Sequence, residues 1–359
     1  MPCNRPGRPT STRLLGSAGA DGGGTASGRV SRLPRTTRAD LLPALLVAIS
    51  VVAPLVLLRL TGHIDASLYA AFGAFASIYA RRGPHLERLV MQGGAGLLLV
   101  GCVTTGTAVS SLDAGPWPAV LGTAVTAAVA SVASDRLRWL PPGPLFAVFA
   151  FGACASAPAE PPDVPVALLV SAGVAAFAVL VGASGAALRL RRRRLGPSPP
   201  PLVGRAVAGR AVAYFIAALL AGATAAALDL HHGYWAAVGA VVPMAASGTP
   251  GRLIRAWHRL WGTAVGLLLA AALLAIDPGG WTVVAFVAVL QVGAELFVLH
   301  HYATALVFVT PMALLMSRLG AATPALPLLT DRAVTTLLGV AVGVVAVLVV
   351  HDRRADAPD

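Results

Sequence analysis

The sequence predicts an all-α, polytopic membrane protein with about twelve transmembrane helices, built as two tandem six-helix repeats. Three observations carry this reading: the composition, the spacing of apolar runs, and the sorting of arginines between loops. Hydrophobic residues make up 57% of the chain and charged residues 12%, with a mean hydropathy of +0.77. Soluble domains sit near 45–50% apolar and about 25% charged, so water is not the main solvent of this chain.

A hydrocarbon core about 30 Å thick calls for roughly 20 apolar residues per helix, and runs of that order recur between short polar breaks. In the first half they cover residues 41–60, 66–80, 89–111, 117–134, 143–157 and 164–188. In the second half they cover 211–228, 233–249, 260–276, 280–299, 302–317 and 331–350. The runs at 66–80 and 143–157 are short enough to be re-entrant. All are continuously apolar, whereas the strands of a membrane barrel alternate apolar and polar residues.

Arginine placement tests the same elements. Of 27 basic residues, all Arg, 24 fall in alternate loops and the termini, leaving Arg59, Arg318 and Arg332 on the opposite side. Acidic residues show no such sorting, as expected of a rule that concerns basic residues alone. Both termini are therefore expected in the cytoplasm, in a multi-pass protein of the cell membrane. The net charge of +12 follows from this sorting and from attraction to anionic lipid, so nucleic acid is not expected as a partner. Expected partners are the lipid bilayer and a small organic anion, with a second copy of the chain also admissible.

The segments between runs complete the organisation. Residues 1–38 are rich in Gly, Ser, Thr and Arg, lack the apolar core of a secretory signal, and read as a disordered basic cytoplasmic tail. Residues 39–188 form the first repeat, the Arg/Pro-rich stretch 189–205 a cytoplasmic linker, 206–351 the second repeat and 352–359 a cytoplasmic tail. Cys3, Cys102 and Cys154 form no metal-ligand or disulfide pattern and read as packing residues; no metal or cofactor is expected.

Self-similarity supports the duplication. DAGPW at 113–117 returns as DPGGW at 277–281, AAFGA at 70–74 as AAVGA at 236–240, and GLLL at 96–99 as GLLL at 266–269. DVPVALL from Asp163 answers DRAVTTLL from Asp331, and the order is kept throughout. Six spans per copy is even, so both copies enter from one side and are related by an axis along the membrane normal, with a site expected between them.

The second half carries a more specific pattern: Tyr234-Trp235 opening a helix, an Arg-rich loop running into RLWGTAVG (259–266), HYATALVFVTP (301–311) and DRAVTTLLGVAVG (331–343). Over roughly residues 205–350 it resembles the integral membrane transporter domain of the fusaric acid resistance protein family, the aromatic acid exporter superfamily, to which plant aluminium-activated malate transporters are related. The first half keeps Arg88, but QGGAG replaces GTAVG. The resemblance implies efflux of aromatic or other organic carboxylates across the cytoplasmic membrane. A passive organic-anion channel and a non-transporting scaffold are the alternatives.

Candidate residues follow from the cost of burying polar groups, about 2.5–3.5 kcal/mol for a charge at a helix centre. Glu295 lies in an apolar run one turn after Gln291, with His300 and His301 at its end; it is either a proton-exchanging carboxylate or a carboxylate near the inner surface, solvated there or paired with a loop Arg. Thr310-Pro311 interrupts the backbone ladder of the next helix, as a cavity lining or a packing kink. Arg332, expected at the start of the last helix, either attracts an anion or pairs with an outer carboxylate. Trp117, Trp235, Trp281, Tyr234 and Tyr302 are expected in interfacial belts. The pairs Gly262/Gly266 and Gly339/Gly343 are expected to allow close helix approach. The sequence holds no HExxH or GxSxG, and a chain without Lys cannot complete a P-loop, so an enzyme is not expected.

Overall fold

A computed structural model describes residues 38–80, 85–187, 204–298, 300–320 and 324–349. Apart from Arg38, which begins a helix, and Gly204 and Arg205, which open another, the tail, linker and C-terminal segment expected from the sequence lie outside the described residues. Those described form twelve α-helices and no strand. In order they are α1 (Arg38–Thr61), α2 (Ser67–Ala74), α3 (His85–Ser110), α4 (Pro116–Leu137), α5 (Leu145–Ser156) and α6 (Asp163–Ala187). The second set is α7 (Arg205–Ala227), α8 (Tyr234–Met244), α9 (Gly248–Ala275), α10 (Gly280–Phe297), α11 (Tyr302–Gly320) and α12 (Ala325–Val349). The protein is a multi-pass membrane protein.

Nine of these helices are long and apolar enough to cross a membrane. The other three are α2 with its flanking 3₁₀ turns, α5 and α8. Residues 233–249 were expected to form a full span, but α8 has 11 residues and reaches only about 17 Å at 1.5 Å per residue. Its sequence supplies the cause: Pro243 at its end and the Ser247-Gly248 pair stop the ladder, and Gly248 turns the chain at φ +67°. Short helices are tolerated at membrane depth where other helices surround them, and Trp235 through Met244 are all buried.

Two boundaries move in the opposite direction. Arg252, Arg255 and Arg259 were expected in a loop, but α9 starts at Gly248 and carries all three on its first turns. Pro250 falls in the first turn, where its missing N–H costs nothing, and nothing afterwards breaks the helix before Ile276. Arg332 was expected to begin the last helix. It lies two turns inside α12, because the ALPLLT stretch extends the helix backward with Pro327 in its first turn.

Odd-numbered helices finish and even-numbered helices begin at one end of the bundle, here the distal end. Contacts there include Ser110 Oγ donating to Ala157 O at 2.6 Å and Arg318 to Asp277 at 3.2 Å. Packing partners recur at an offset of six helices: α1 lies on α10 and α7 on α4, while α2 lies on α6 and α8 on α12. The turns before α4 and α10 also match, with Asp113 (φ 47°) and Asp277 (φ 42°) both in the left-handed region that short polar side chains tolerate.

Glycines set the closest approaches. Gly339 and Gly343 of α12 lie against the α8 backbone at Ala236, Gly239 and Ala240, while Gly262 and Gly266 of α9 lie against Ala303, Leu306 and Thr310 of α11. Both GxxxG pairs thus pack helix on helix, as expected. Cys102 and Cys154 are buried and unpaired.

Candidate functional site

The same glycines place two arginines. Arg259 precedes Gly262 by three residues and Gly266 by seven, and Arg332 precedes Gly339 by seven, so each arginine shares the packed face of its helix. Arg259 is 2% exposed and Arg332 3%. Both guanidiniums are thus buried in the second half of the chain. Neither meets a carboxylate among the described residues. Arg259 Nη1 donates to Tyr302 Oη at 3.3 Å, and Arg332 Cζ sits 4.8 Å above the Trp235 ring.

Donors without acceptors characterise this interior. Arg259 Nε and Nη2, Arg332 Nε and Nη1, and Trp235 Nε1 are buried with no hydrogen-bond acceptor among the described residues. Thr263 and Thr336, one turn beyond the arginines on the same helices, leave their hydroxyls unbonded as well. A buried charge without a counter-ion is costly, and two like charges are worse, so a donor-rich space of this kind is complementary to an anion.

Two polar layers flank the arginines. Toward the distal end, His232 Nδ1 lies 2.8 Å from Asp331 Oδ2, and the imidazole stacks on Trp235 at 4.5 Å with the rings 12° apart. Toward the other end, Arg255 Cζ sits 4.8 Å above the Tyr302 ring, and the His258 and His301 rings are 5.2 Å apart. His301 accepts from Thr304 N at 3.3 Å through Nδ1, which caps the start of α11.

Residues 212–346 match the fusaric acid resistance protein-like family. All of the arginine site lies inside that fusaric acid resistance-like segment. A curated relative, the "Uncharacterized membrane protein YvaC" of Bacillus subtilis (strain 168), is 33% identical over 135 residues. That alignment covers 36% of this chain and spans about a fifth of the relative's length, 21%. No solved structure matches the chain.

The residues singled out in the sequence do not form one cluster. Glu295 is 7% exposed and accepts from Gln291 Nε2 at 3.2 Å, both on α10. Thr310 is fully buried where α11 meets Gly266, with Pro311 following it inside the helix. Arg332 belongs to the arginine pair, and His301 lies beside His258 in the layer next to it. Asp331, beside Arg332 in the sequence, pairs with His232.

Sequence reasoning missed Arg259, taken for a loop residue, and Trp235 and Tyr302, taken for belt residues. Trp235 is 0% exposed, while the true belt candidates Trp117 and Trp281 are 59% and 50% exposed. The helical spacing between each arginine and its glycine pair was a signal that both arginines face inward.

The corresponding interior of the first half is filled differently. Phe72, Phe75, Tyr79, Trp139, Phe146 and Phe149 meet edge to face there at centroid distances of 5.1–5.9 Å. Gln92, on the face of α3 that carries Arg88, donates to Ser77 O at 3.1 Å and Tyr79 O at 3.0 Å. That side is filled with rings, whereas the second half buries two arginines among its apolar clusters.

Proposed function

We propose that the protein is a secondary exporter of small organic carboxylates, aromatic ones included, in the cytoplasmic membrane. Its termini are cytoplasmic, and its two six-helix halves are copies of which only the second keeps a ligand site. The observation that carries this reading is that Arg259 and Arg332 are both buried and meet no carboxylate among the described residues. In this proposal the substrate carboxylate lies between the two guanidiniums and receives their unused N–H groups in charge-assisted hydrogen bonds. Thr263, Thr336 and Trp235 add neutral donors. Glu295, buried with Gln291 on α10, exchanges the proton that couples transport to a gradient.

The test is accumulation of radiolabelled benzoate, salicylate and related carboxylates in an efflux-deficient host, with and without the gene. Expression is expected to lower accumulation of at least one compound, and Arg259→Gln or Arg332→Gln to reduce that effect about tenfold, the loss of one charge-assisted contact. Removing one of two buried charges should leave thermal stability equal or higher. Loss of stability together with unchanged efflux would make the pair structural. Unitary currents in planar bilayers would reassign the protein as a passive channel.

A further inference from the structure

A second basic feature lies apart from the arginine pair, at the distal end, where α1, the α9–α10 turn and α11 enclose a cavity of about 200 Å³. Its walls are apolar, from Leu274, Val283, Leu315 and Leu319, and its polar lining is Arg59 and Arg318. These are two of the three arginines that the loop pattern leaves on that side, and both reach one cavity. Acidic residues otherwise mark the distal turns, Asp65, Asp113, Asp163, Asp229 and Asp277 among them.

The electrostatics of this cavity are one-sided. The Arg59 guanidinium lies against Gly280, the first residue of α10; a Cβ there would come within 2.7 Å of Arg59 Cζ. A cation placed at the positive end of an 18-residue helix is unfavourable, and Arg59 has no ion pair among the described residues to offset it. Arg318 does have one, Asp277 at 3.2 Å, but the aspartate is 86% exposed and holds it weakly. Two guanidiniums and a helix N-terminus thus face an apolar cleft with one solvated carboxylate nearby.

We propose that this cleft binds an amphiphilic anion, with its charged head on Arg59 and Arg318 and its apolar part against the four aliphatic side chains. The volume is below the roughly 300–1,000 Å³ of drug-sized sites, which limits the ligand to about one ring or a few methylenes plus the head. Two sources share that chemistry: the phosphate end of an anionic bilayer lipid, and a soluble carboxylate. The site is independent of the Arg259–Arg332 reading and stands or falls without it.

The experiment uses the purified full-length protein, with Arg59→Gln/Arg318→Gln, the charge-keeping Arg59→Lys/Arg318→Lys, Asp277→Asn, and Arg259→Gln/Arg332→Gln for comparison. One arm follows retention of phosphatidylglycerol against phosphatidylcholine by native mass spectrometry; the other titrates benzoate calorimetrically in lipid-free neutral detergent. The Gln pair is expected to weaken one of these ligands about tenfold or more, the Lys pair less, and Asp277→Asn to tighten the same ligand by releasing Arg318. The arm that responds names the source, and Arg259→Gln/Arg332→Gln leaves that component in place. If the Gln pair binds both probes as the native protein does, or if only the Arg259/Arg332 variant loses binding, the cleft is not a site.

Discussion

At the scale of single residues, the chain separates two kinds of buried charge. Arg259 and Arg332 are held with donors unused, whereas Glu295 is engaged by Gln291 at 3.2 Å. Glu295→Gln keeps the shape of the side chain and removes its titration. Export should therefore lose its pH dependence while the protein reaches the membrane at normal levels, as read by efflux across a range of external pH. An unchanged profile at equal membrane levels would remove Glu295 from coupling. That residue was legible in the sequence because a lone carboxylate in an apolar run stands out on composition. Arg259 was not, because three arginines within eight residues look like a loop until the helix is seen to run through them.

Among the elements, the glycine contacts do the positioning. A Cβ at Gly339 would run into Ala236 O and Gly239 Cα of α8, backbone that cannot move aside cheaply, while Gly93 on α3 has nothing within 4 Å. Gly339→Ala is expected to cost about 1–3 kcal/mol through overpacking and to lower the melting temperature measured by fluorescence size-exclusion chromatography. Gly93→Ala should leave it unchanged. An equal response from both would deny the α8–α12 contact its role. All twelve helices were visible as apolar runs, since membrane insertion depends on summed hydropathy. Their lengths were less so: hydropathy cannot tell a spanning helix from a short one enclosed by its neighbours, and α8 was read as 17 residues instead of 11 for that reason.

For the molecule as a whole, the two halves are interlocked through the α1–α10 and α4–α7 contacts. Arg210 Nε lies 3.4 Å from Asp135 Oδ2, and Gly222 of α7 admits the Val120 side chain of α4. The family-matched half, made alone, would leave these faces without partners. Residues 204–359 expressed alone are expected to give no stable, monodisperse species, and co-expression with residues 1–188 to restore one that copurifies. A stable second half alone would mean that the first contributes nothing to its packing. The asymmetry between an interior filled with rings and one that buries two arginines was not legible beforehand, because the repeat matches lie in turns and glycine faces and say little about what fills the space between them.

The tryptophans turn this arrangement into an optical property. Of the six, Trp117, Trp257, Trp261 and Trp281 are half exposed, and Trp139 belongs to the aromatic interior of the first half. Trp235 alone touches both an imidazole, at 4.5 Å, and a guanidinium, at 4.8 Å. Its indole emission is expected to change as those two groups shift, so Trp235 serves as an intrinsic dye for what happens to Arg332.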